Sequence, residues 1–480
     1  MARSNPINLI ATFLLFFSPI LLLTIQGHCQ QTDPFQNLKV WLTAPGKNSK
    51  LKPVSVDSLT DSKGASEITI HINDAVTYQS IDGIGFSFTG GSAIVLNHLS
   101  ETNRKNILHE LFGNGKDEIG ISYLRISIGS SDLSDHIFTY DDVPAGEQDT
   151  GLQHFSLDPE LTDLIPVLKE ILSINQKLKI MASPWTAPLW MKTNNNAIGG
   201  ELKPEYYSVY ASYLHKYIVS MAAMGIPIDA LTIQNEPLHP GNNPSLYMNA
   251  EAQNTFIKNY LGPLFKRNNC KTKIMIYDHN LDRIDYPLSI LDDPATNKFV
   301  DGTAFHLYGG SIDAMAYVHK KFPNKNLYFT EQMIDSRRVD LLNDLNWHVK
   351  NLIIGATRNW SKVVLQWNLA TDANMGPHTP RPGCDICLGG VTIFPNDSIG
   401  RNPGYYIIGH ASKFVTPGSK RIYSNSQNEL LNVAFITPDK EKVLIVLNTQ
   451  KKDLSFTIKY RNQQKLCALP PGAVGTFVWK

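Results

Sequence analysis

Two glutamates follow apolar segments that have the character of buried strands. Glu236 comes shortly after the segment ALTI, which begins at Ala230, and Glu331 closes the segment NLYFTE, which begins at Asn326. Burying an isolated carboxylate is costly, so each must be solvated, paired or used in chemistry. A carboxylic acid and a carboxylate held together are what the hydrolysis of a glycosidic bond needs. One protonates the leaving oxygen, and the other attacks the sugar or activates water.

The elements that must position these glutamates alternate between short apolar segments and helical stretches. Eight candidate strands begin at Ile81, Ile121, Leu178, Ala230, Lys273, Gly302, Asn326 and Lys362. Such alternation predicts parallel strands joined by crossover helices, and eight of them predict a closed (β/α)8 TIM barrel. An open doubly wound sheet is the alternative. The segment GIGFSFTGG does not keep the G-x-G-x-x-G spacing, so a nucleotide site has no support.

Residues 206–224 and 339–356 are two of the predicted helices. The second places five apolar residues at helical spacing, which predicts a stripe facing the core: Leu341, Leu342, Leu345, Val349 and Ile353. The two ends of the chain do not show this alternation of strands and helices; there the sequence predicts short strands with turns between them. The sequence therefore predicts a β-sandwich from residues 30–78 and 414–480, fused to a barrel over residues 79–413.

Residues 1–29 read as a signal peptide, because Arg3 precedes an apolar run that Pro19 interrupts before the sequence turns polar. A transmembrane helix is the alternative, and no later segment is apolar enough to span a bilayer. We therefore expect a secreted or lysosomal protein. The formal net charge of +1 gives no case for binding nucleic acid.

Cys384 and Cys387 form a C-x-x-C for which the sequence offers no second pair of zinc ligands. In an oxidising compartment this spacing favours a disulfide. Two N-glycosylation sequons begin at Asn359 and Asn396, and the sequence leaves open whether either is modified.

In a (β/α)8 barrel the C-terminal ends of the strands carry the chemistry. Arg125 could keep a neighbouring carboxylate ionised, and tryptophans could offer flat faces to a sugar ring. Taken singly, each candidate could instead be a solvated loop end, half of a structural ion pair or plain core. The candidates at predicted strand ends are Arg125, Asp132, Trp185, Trp190, Asn235, His306, Tyr308, Trp367 and Asn368.

At these positions the sequence resembles glycoside hydrolase family 30, which contains glucosylceramidases and endo-β-1,6-glucanases. The motifs that carry the resemblance are GIGFSFTGGSA, YLRISIGSSDLS, ASPWTAPLWMKTN, TIQNEP, FTEQ and VVLQWNLA. The resemblance implies a barrel with a fused β-sandwich and a retaining mechanism that needs no metal or other cofactor. It implies Glu236 as acid/base and Glu331 as nucleophile. It also implies a glucose subsite formed by Arg125, Asp132, Trp185, Asn235, Tyr308 and Trp367.

Two segments depart from the lysosomal glucosylceramidase pattern: HTPRPGCDICLGGVTIF, and Leu307 after His306. The first looks more like the β-1,6-glucanase branch. We expect a β-glucoside hydrolase of glucosylceramidase type, which would contact a membrane surface if its substrate is lipid. An endo-β-1,6-glucanase is the alternative, and a non-catalytic carbohydrate-binding protein is a third hypothesis. The last is disfavoured, because a binding module needs neither an acid nor a nucleophile.

Overall fold

The computed structural model describes residues 33–47, 49–59 and 68–480. Its strands are β1 Lys39–Ala44, β2 Ser49–Val54, β3 Thr69–Ser80, β4 Gly83–Ser87, β5 Tyr123–Ile128, β6 Lys179–Pro184, β7 Ala230–Thr232, β8 Lys273–Asn280, β9 Val300–His306, β10 Asn326–Glu331, β11 Ile334–Asp335, β12 Ser361–Gln366, β13 Ala370–Asp372, β14 Cys387–Leu388, β15 Val391–Ile393, β16 Ile399–Arg401, β17 Lys420–Ser424, β18 Leu430–Ile436, β19 Lys442–Asn448, β20 Leu454–Tyr460, β21 Gln463–Leu469 and β22 Val474–Trp479.

The α-helices are α1 Gly90–Asn97, α2 Glu101–Phe112, α3 Leu164–Ile174, α4 Tyr207–Ala223, α5 Ala250–Phe256, α6 Gly262–Arg267, α7 Asp285–Leu291, α8 Pro294–Asn297, α9 Ala314–Lys321, α10 Leu341–His348 and α11 Pro403–Ser412. π-Helical turns at Ile257–Leu261 and Val349–Ala356 extend α5 and α10. Short 3-10 turns lie at Pro45–Lys47, Val56–Leu59, Asp158–Glu160, Leu189–Met191, Pro204–Tyr206 and Ser336–Arg338.

Strands β4 to β10 and β12 form a closed barrel in chain order, with β12 paired back to β4. Every pairing in the barrel is parallel. Strands of this kind are buried on both faces, which is why β5 is a continuous buried run. The predicted (β/α)8 barrel is confirmed, and each strand begins within two residues of its predicted start.

The barrel interior is a packed core that supports a polar layer. One buried apolar cluster draws on all but one of the barrel strands: Tyr123, Met181, Ala230, Met275, Ala304, Tyr328, Val363 and Leu365. Side chains alternate along a strand with a period of two. The next inward positions toward the C-terminal end are therefore polar in five strands: Arg125, Ser183, Thr232, His306 and Thr330.

Strand β8 departs from this alternation. Its pairing with β9 shifts register between Tyr277 and His279, and Tyr277 and Asp278 have φ values of 73° and 64°. Such a bulge adds one residue and re-aims the side chains that follow. Asp278 therefore faces the interior, where counting by two from Met275 would have placed Tyr277.

A second, nine-stranded sheet contains strands from both chain ends, in the order β2-β1-β22-β19-β18-β17-β3-β20-β21. Its neighbours are antiparallel except β3 and β20. Its apolar core includes Val40, Phe456 and Phe477, all buried. Helix α11 joins it to the barrel, since its buried His410 contacts the hydroxyls of Thr43 and Thr476 at 2.7 and 2.9 Å. The predicted contribution of the N-terminal strands to a β-sandwich is confirmed.

Helix α10 corrects one detail of the predicted stripe. Leu345, Val349 and Ile353 are buried, but Leu342 is 41% exposed. At about 100° per residue Leu342 points within about 20° of Val349. It is nevertheless exposed, and it lies in the first turn of α10, at the end of the stripe. Within the described part of the chain, no helix is long and apolar enough to cross a membrane. The predicted signal peptide lies outside that part.

Candidate active site

Glu236 and Glu331 meet at the C-terminal end of the barrel, in the turn after β7 and at the last residue of β10. Oxygens of the two carboxylates lie within 4.8 Å of one another. Their side chains are only 12% and 8% exposed. Glu236 has a φ of 44°, in the left-handed region that a residue with a side chain rarely adopts. Such conformations persist where the surrounding structure fixes them, and they cluster at functional sites.

Arg125 is almost fully buried and connects three polar side chains. Its Nη1 donates to Glu331 Oε2 at 2.8 Å, and its Nη2 donates to Asp278 Oδ2 and Asn235 Oδ1, each at 2.7 Å. Charge-assisted hydrogen bonds of this length are the stronger ones in proteins. Arg125 therefore favours the ionised form of Glu331 and fixes the orientation of its carboxylate.

Asp278 is buried on the inward side of the β8 bulge. Besides Arg125, its oxygens accept hydrogen bonds from Ser183, Thr232 and Thr330 at 2.9, 2.8 and 2.7 Å. Burial alone would raise the pKa of Asp278. The charge of Arg125 and a hydrogen bond from His306 outweigh burial and hold this pKa well below its usual range.

His306 bridges two carboxylates. Its Nδ1 lies 3.1 Å from Glu236 Oε1 and its Nε2 lies 3.1 Å from Asp278 Oδ1. A ring nitrogen facing a carboxylate must carry a proton to make a hydrogen bond, so both nitrogens are protonated. Burial lowers the pKa of His306, but Glu331, Asp278 and Glu236 together raise it to about 10. His306 is therefore an imidazolium at neutral pH.

The two glutamates titrate as a coupled pair. Burial raises the pKa of Glu331, and the charge of Glu236 adds to this against the opposing effects of His306 and Arg125. For Glu236 burial also raises the pKa, but the hydrogen bond and charge of His306 prevail and lower it. In the free site the pKa of Glu331 is therefore raised while that of Glu236 is lowered.

Glu236, His306 and Glu331 are also the trio, among residues 33–47, 49–59 and 68–480, whose ligand atoms are close enough to hold a metal ion. A metal ligand must offer a lone pair, and a histidine binds metal as the neutral imidazole. Both nitrogens of His306 are committed as donors to carboxylates. The trio is therefore better suited to proton transfer than to metal binding.

A cleft of about 360 Å³ opens over the two carboxylates. Tyr308 stands at its wall and donates from its hydroxyl to Glu331 Oε1 at 3.1 Å. Asp132 lies opposite and accepts from Asn242 Nδ2 at 3.3 Å. Burial and the charge of Glu331 raise the pKa of Asp132 to about 7. The cleft thus presents hydroxyl and carboxyl groups beside the reacting pair.

The tryptophans divide between the cleft and the core. Trp367 lines the cleft, and Trp185 stacks against it with ring centroids 5.4 Å apart. Trp185 is 2% exposed, with the guanidinium of Arg125 4.8 Å from its ring. Trp190 packs in the main core and donates to the backbone oxygen of Asp141. The interpretation of Trp190 as a sugar platform was therefore wrong.

Cys384 and Cys387 are joined by a disulfide, as predicted, and both line the cleft. Their segment is anchored because β14 pairs with β11. The same segment, which forms the rim of the cleft, is also bound to the loops that contain Asn243 and Asp132. Thr379 donates from Oγ1 to Asn243 O at 2.6 Å and from N to Asp132 O at 3.0 Å. Three loops are thereby locked around one cleft.

The structure brings together Arg125, Asn235, Glu236, Tyr308 and Glu331, with Asp132 and Trp367 at the wall. Asn368 lies behind them, where its Oδ1 accepts from Ser92 and Thr89 hydroxyls. Sequence reasoning missed Asp278. The sequence signal that could have revealed it is that Asp278 is a charged residue near the end of the apolar segment KIMIYDH. It also missed Asn242 and Asn280, which lie on the cleft wall.

Comparison with known families now identifies the chain. The model of the glycosyl hydrolase family 30 TIM-barrel domain matches residues 81–415, and that of the family's beta sandwich domain matches residues 418–477. The chain belongs to glycosyl hydrolase family 30. The predictions of the family and of a glycoside hydrolase are confirmed.

Some similar proteins are named as endo-1,6-beta-glucanases and others as glucosylceramidases. An endo-1,6-beta-D-glucanase of Trichoderma harzianum is 32% identical over 87% of this chain and 88% of its own length. The lysosomal acid glucosylceramidase of Mus musculus is 28% identical over 97% of this chain and 94% of its own. The solved structure of an endo-beta1,6-glucanase is 34% identical, covers 92% of this chain and 99% of its own, and superimposes with a TM-score of 0.84.

Proposed function

We propose that the protein hydrolyses β-glucosidic bonds with retention of configuration, by double displacement between Glu331 and Glu236. The observation that carries the proposal is the separation of the two carboxylates, whose oxygens approach within 4.8 Å. Retaining glycosidases place these groups about 5–5.5 Å apart, whereas inverting enzymes leave about 6.5–9.5 Å for a water molecule.

In the first step a carboxylate oxygen of Glu331 attacks the anomeric carbon. The bond from that carbon to the leaving oxygen breaks, and the proton of Glu236 passes to the leaving oxygen. In the second step Glu236 accepts a proton from water, whose oxygen attacks the same carbon and releases Glu331. Arg125 and Tyr308 hold Glu331 in line throughout, since both donate hydrogen bonds to it.

The mechanism requires a proton on Glu236, although in the free site the pKa of Glu236 is lowered and that of Glu331 is raised. We propose that substrate binding reverses the order of the two pKa values, so that Glu236 becomes the weaker acid of the pair. A leaving-group oxygen beside Glu236 accepts a hydrogen bond from the protonated carboxyl and stabilises it, and the donors on Glu331 then stabilise its ionised form. The cleft also becomes drier once occupied, which strengthens these interactions.

For the leaving group we propose a glucosyl unit of a β-1,6-glucan. The cleft wall above the carboxylates offers mainly groups that hydrogen-bond hydroxyls: His239, Asn242, Asn280 and Asp385. Relatives and a solved structure named as β-1,6-glucanases, at 30–34% identity, support the same choice. Glucosylceramide is the second candidate, because Met333 and Ile386 add apolar surface to the same wall.

The test offers the purified full-length protein a linear β-1,6-glucan and glucosylceramide side by side. We expect glucose oligosaccharides from the glucan, at a kcat/KM at least tenfold above that for glucosylceramide. Proton NMR of the first products should show the β-anomer. The Glu331→Gln variant keeps the shape of the side chain without its charge and serves as the inactive control. Preferred release of ceramide would reverse the assignment of the leaving group, and α-anomer products would refute retention.

We further propose that the protein is exported through the secretory route. The predicted signal at residues 1–29 supports this, and so does the Cys384–Cys387 disulfide, since disulfides persist in oxidising compartments. Expression of the full chain with N-terminal sequencing of the product would test it, and recovery of intact residues 1–29 from cytosol would contradict it.

A further inference from the structure

We propose that Asn396 is an attachment site for an asparagine-linked oligosaccharide and that Asn359 is not. Both begin an Asn-X-Ser sequon, Asn359-Trp-Ser and Asn396-Asp-Ser, so the sequence alone cannot separate them. The inference rests on the proposed secretory route but not on the proposed reaction. The structure separates the two sequons by the surroundings of the asparagine and by the place of the serine.

Asn396 lies in the tight turn between β15 and β16 and is exposed. Its Oδ1 accepts hydrogen bonds from Ser398, from Oγ at 2.6 Å and from N at 3.3 Å. Its Nδ2 donates no hydrogen bond to any described residue. The atom that would carry the sugar is thus free, and the serine hydroxyl that defines the sequon is exposed beside it.

The turn that presents Asn396 is well fixed. Asp397 N donates to Phe394 O and Phe394 N donates to Ser398 O, both at 3.0 Å, and Asp397 has a φ of 64°. The Asp397 carboxylate also accepts from Ser100 N at 3.0 Å and from Asn103 Nδ2 at 2.7 Å, which anchors the turn to the start of α2. Asp397 holds the turn against the barrel while Asn396 remains in solvent.

Phe394 supplies a second feature of a sugar-bearing turn. It precedes Asn396 by two residues and is 39% exposed. Its ring lies against Gly400 on the opposite strand, where an added Cβ would approach Phe394 Cε2 to 3.1 Å. The apolar C–H face of the first sugar on Asn396 can cover this ring, which otherwise leaves apolar surface in water.

Asn359 has the opposite surroundings. Its Nδ2 donates to Gly355 O at 3.0 Å and to Asp313 Oδ1 at 3.2 Å. The middle residue of its sequon, Trp360, stacks on His319 with ring centroids 3.8 Å apart. Ser361 is fully buried as the first residue of β12, and its hydroxyl donates to Val363 O at 2.6 Å. A sugar at Asn359 would replace one of the two amide hydrogens and so break at least one of these hydrogen bonds, next to a packed barrel strand.

The modification is a transfer from an oligosaccharide linked to a lipid diphosphate. The Nδ2 of Asn396 attacks the anomeric carbon of the first sugar, and a carbon–nitrogen bond forms. The bond from that carbon to the diphosphate oxygen breaks, the amide loses one proton, and the lipid diphosphate leaves. No electron transfer is involved, and the product is a neutral, bulky and solubilising group on the surface.

The test expresses the full chain in a eukaryotic secretory host and maps the protein before and after amidase release of N-glycans. Deglycosylation in heavy-oxygen water should label Asn396 as aspartate in most copies and leave Asn359 unlabelled. On gels, Asn396→Gln and Ser398→Ala should lose the mobility shift, whereas Asn359→Gln and Ser398→Thr should keep it. Phe394→Ala should lower occupancy without changing the site.

A second version of the chain has residues 1–29 replaced by a proven signal sequence. It separates two outcomes: a chain that is not exported, and an exported chain that is not glycosylated at Asn396. A bare Asn396 in protein exported by either version would overturn the proposal, and so would a glycan on Asn359. The Asn396→Gln protein should retain the hydrolytic activity of the wild type, so this outcome is independent of the proposed reaction.

Discussion

Replacing Asp278 with asparagine should destabilise the protein far more than its small change in shape suggests. Asp278 accepts hydrogen bonds on both oxygens. Oδ1 faces His306 and Thr330, and Oδ2 faces Arg125, Ser183 and Thr232. In Asp278→Asn one oxygen becomes an NH2 group. Hydroxyls can rotate to accept from it, but His306 and Arg125 cannot. Either orientation of the amide therefore leaves one buried cation facing a donor.

The expected magnitude follows from this loss. Removing one partner of a buried ion pair costs about 3–5 kcal/mol, because the other charge is left uncompensated. Thr232→Val is the matched control, since it removes a single neutral donor from the same carboxylate. That change should cost only about 1 kcal/mol. Asp278→Asn should also shift the alkaline limb of the pH–rate profile to lower pH, because His306 loses a carboxylate that raises its pKa.

Urea unfolding followed by tryptophan fluorescence measures the first effect, provided that the variants unfold with the same dependence on denaturant. The pH dependence of kcat/KM on an aryl β-glucoside measures the second. If Asp278→Asn cost no more than Thr232→Val, the picture of a carboxylate that neutralises two buried cations would be wrong.

Three further predictions concern the acid/base, the rim and His306. Glu236→Ala should slow glucosides with poor leaving groups far more than activated aryl glucosides, and azide should restore turnover of the latter; equal losses without rescue would remove Glu236 from its role. Replacing Cys384 and Cys387 together by serine should raise KM for a β-1,6-glucan more than for an aryl glucoside, and equal changes would show that the disulfide does not shape the outer cleft. The pKa of His306 rises from 6.5 to about 10 on folding. The contribution of the charged His306 to the stability of the folded protein is therefore complete below pH 6.5 and is lost as pH approaches 10. Unfolding free energies measured across that window should fall by up to about 5 kcal/mol, and a flat profile would contradict the raised pKa.

The barrel and its carboxylates were predictable because their signals are local. Apolar runs of strand length alternate with helical stretches; Glu331 closes such a run, and Glu236 follows shortly after another. Parallel strands in a barrel bring their C-terminal ends together, so placement at a strand end was enough to predict that the two would meet.

The rest of the site depends on features that a periodic pattern does not encode. Asp278 faces inward only because β8 bulges, and counting by two from Met275 predicts the wrong residue. Trp190 and Trp367 both follow apolar strands, yet only the second reaches the cleft, because the segment after β6 turns into the core. The contacts of Thr379 with two other loops join residues far apart in sequence.

The left-handed backbone at Glu236 has a consequence for attempts to make the protein more heat-resistant. A non-glycine residue held at such a φ costs of order 1–3 kcal/mol, and the chain also holds Asp278 at positive φ beside it. Glycine at position 236 would relieve that cost and remove a buried charge at once. A library selected for thermal tolerance alone should therefore accumulate inactive clones altered at this turn. Screening for turnover in every round, or excluding these positions from mutagenesis, is needed to keep the hydrolase while its melting temperature rises.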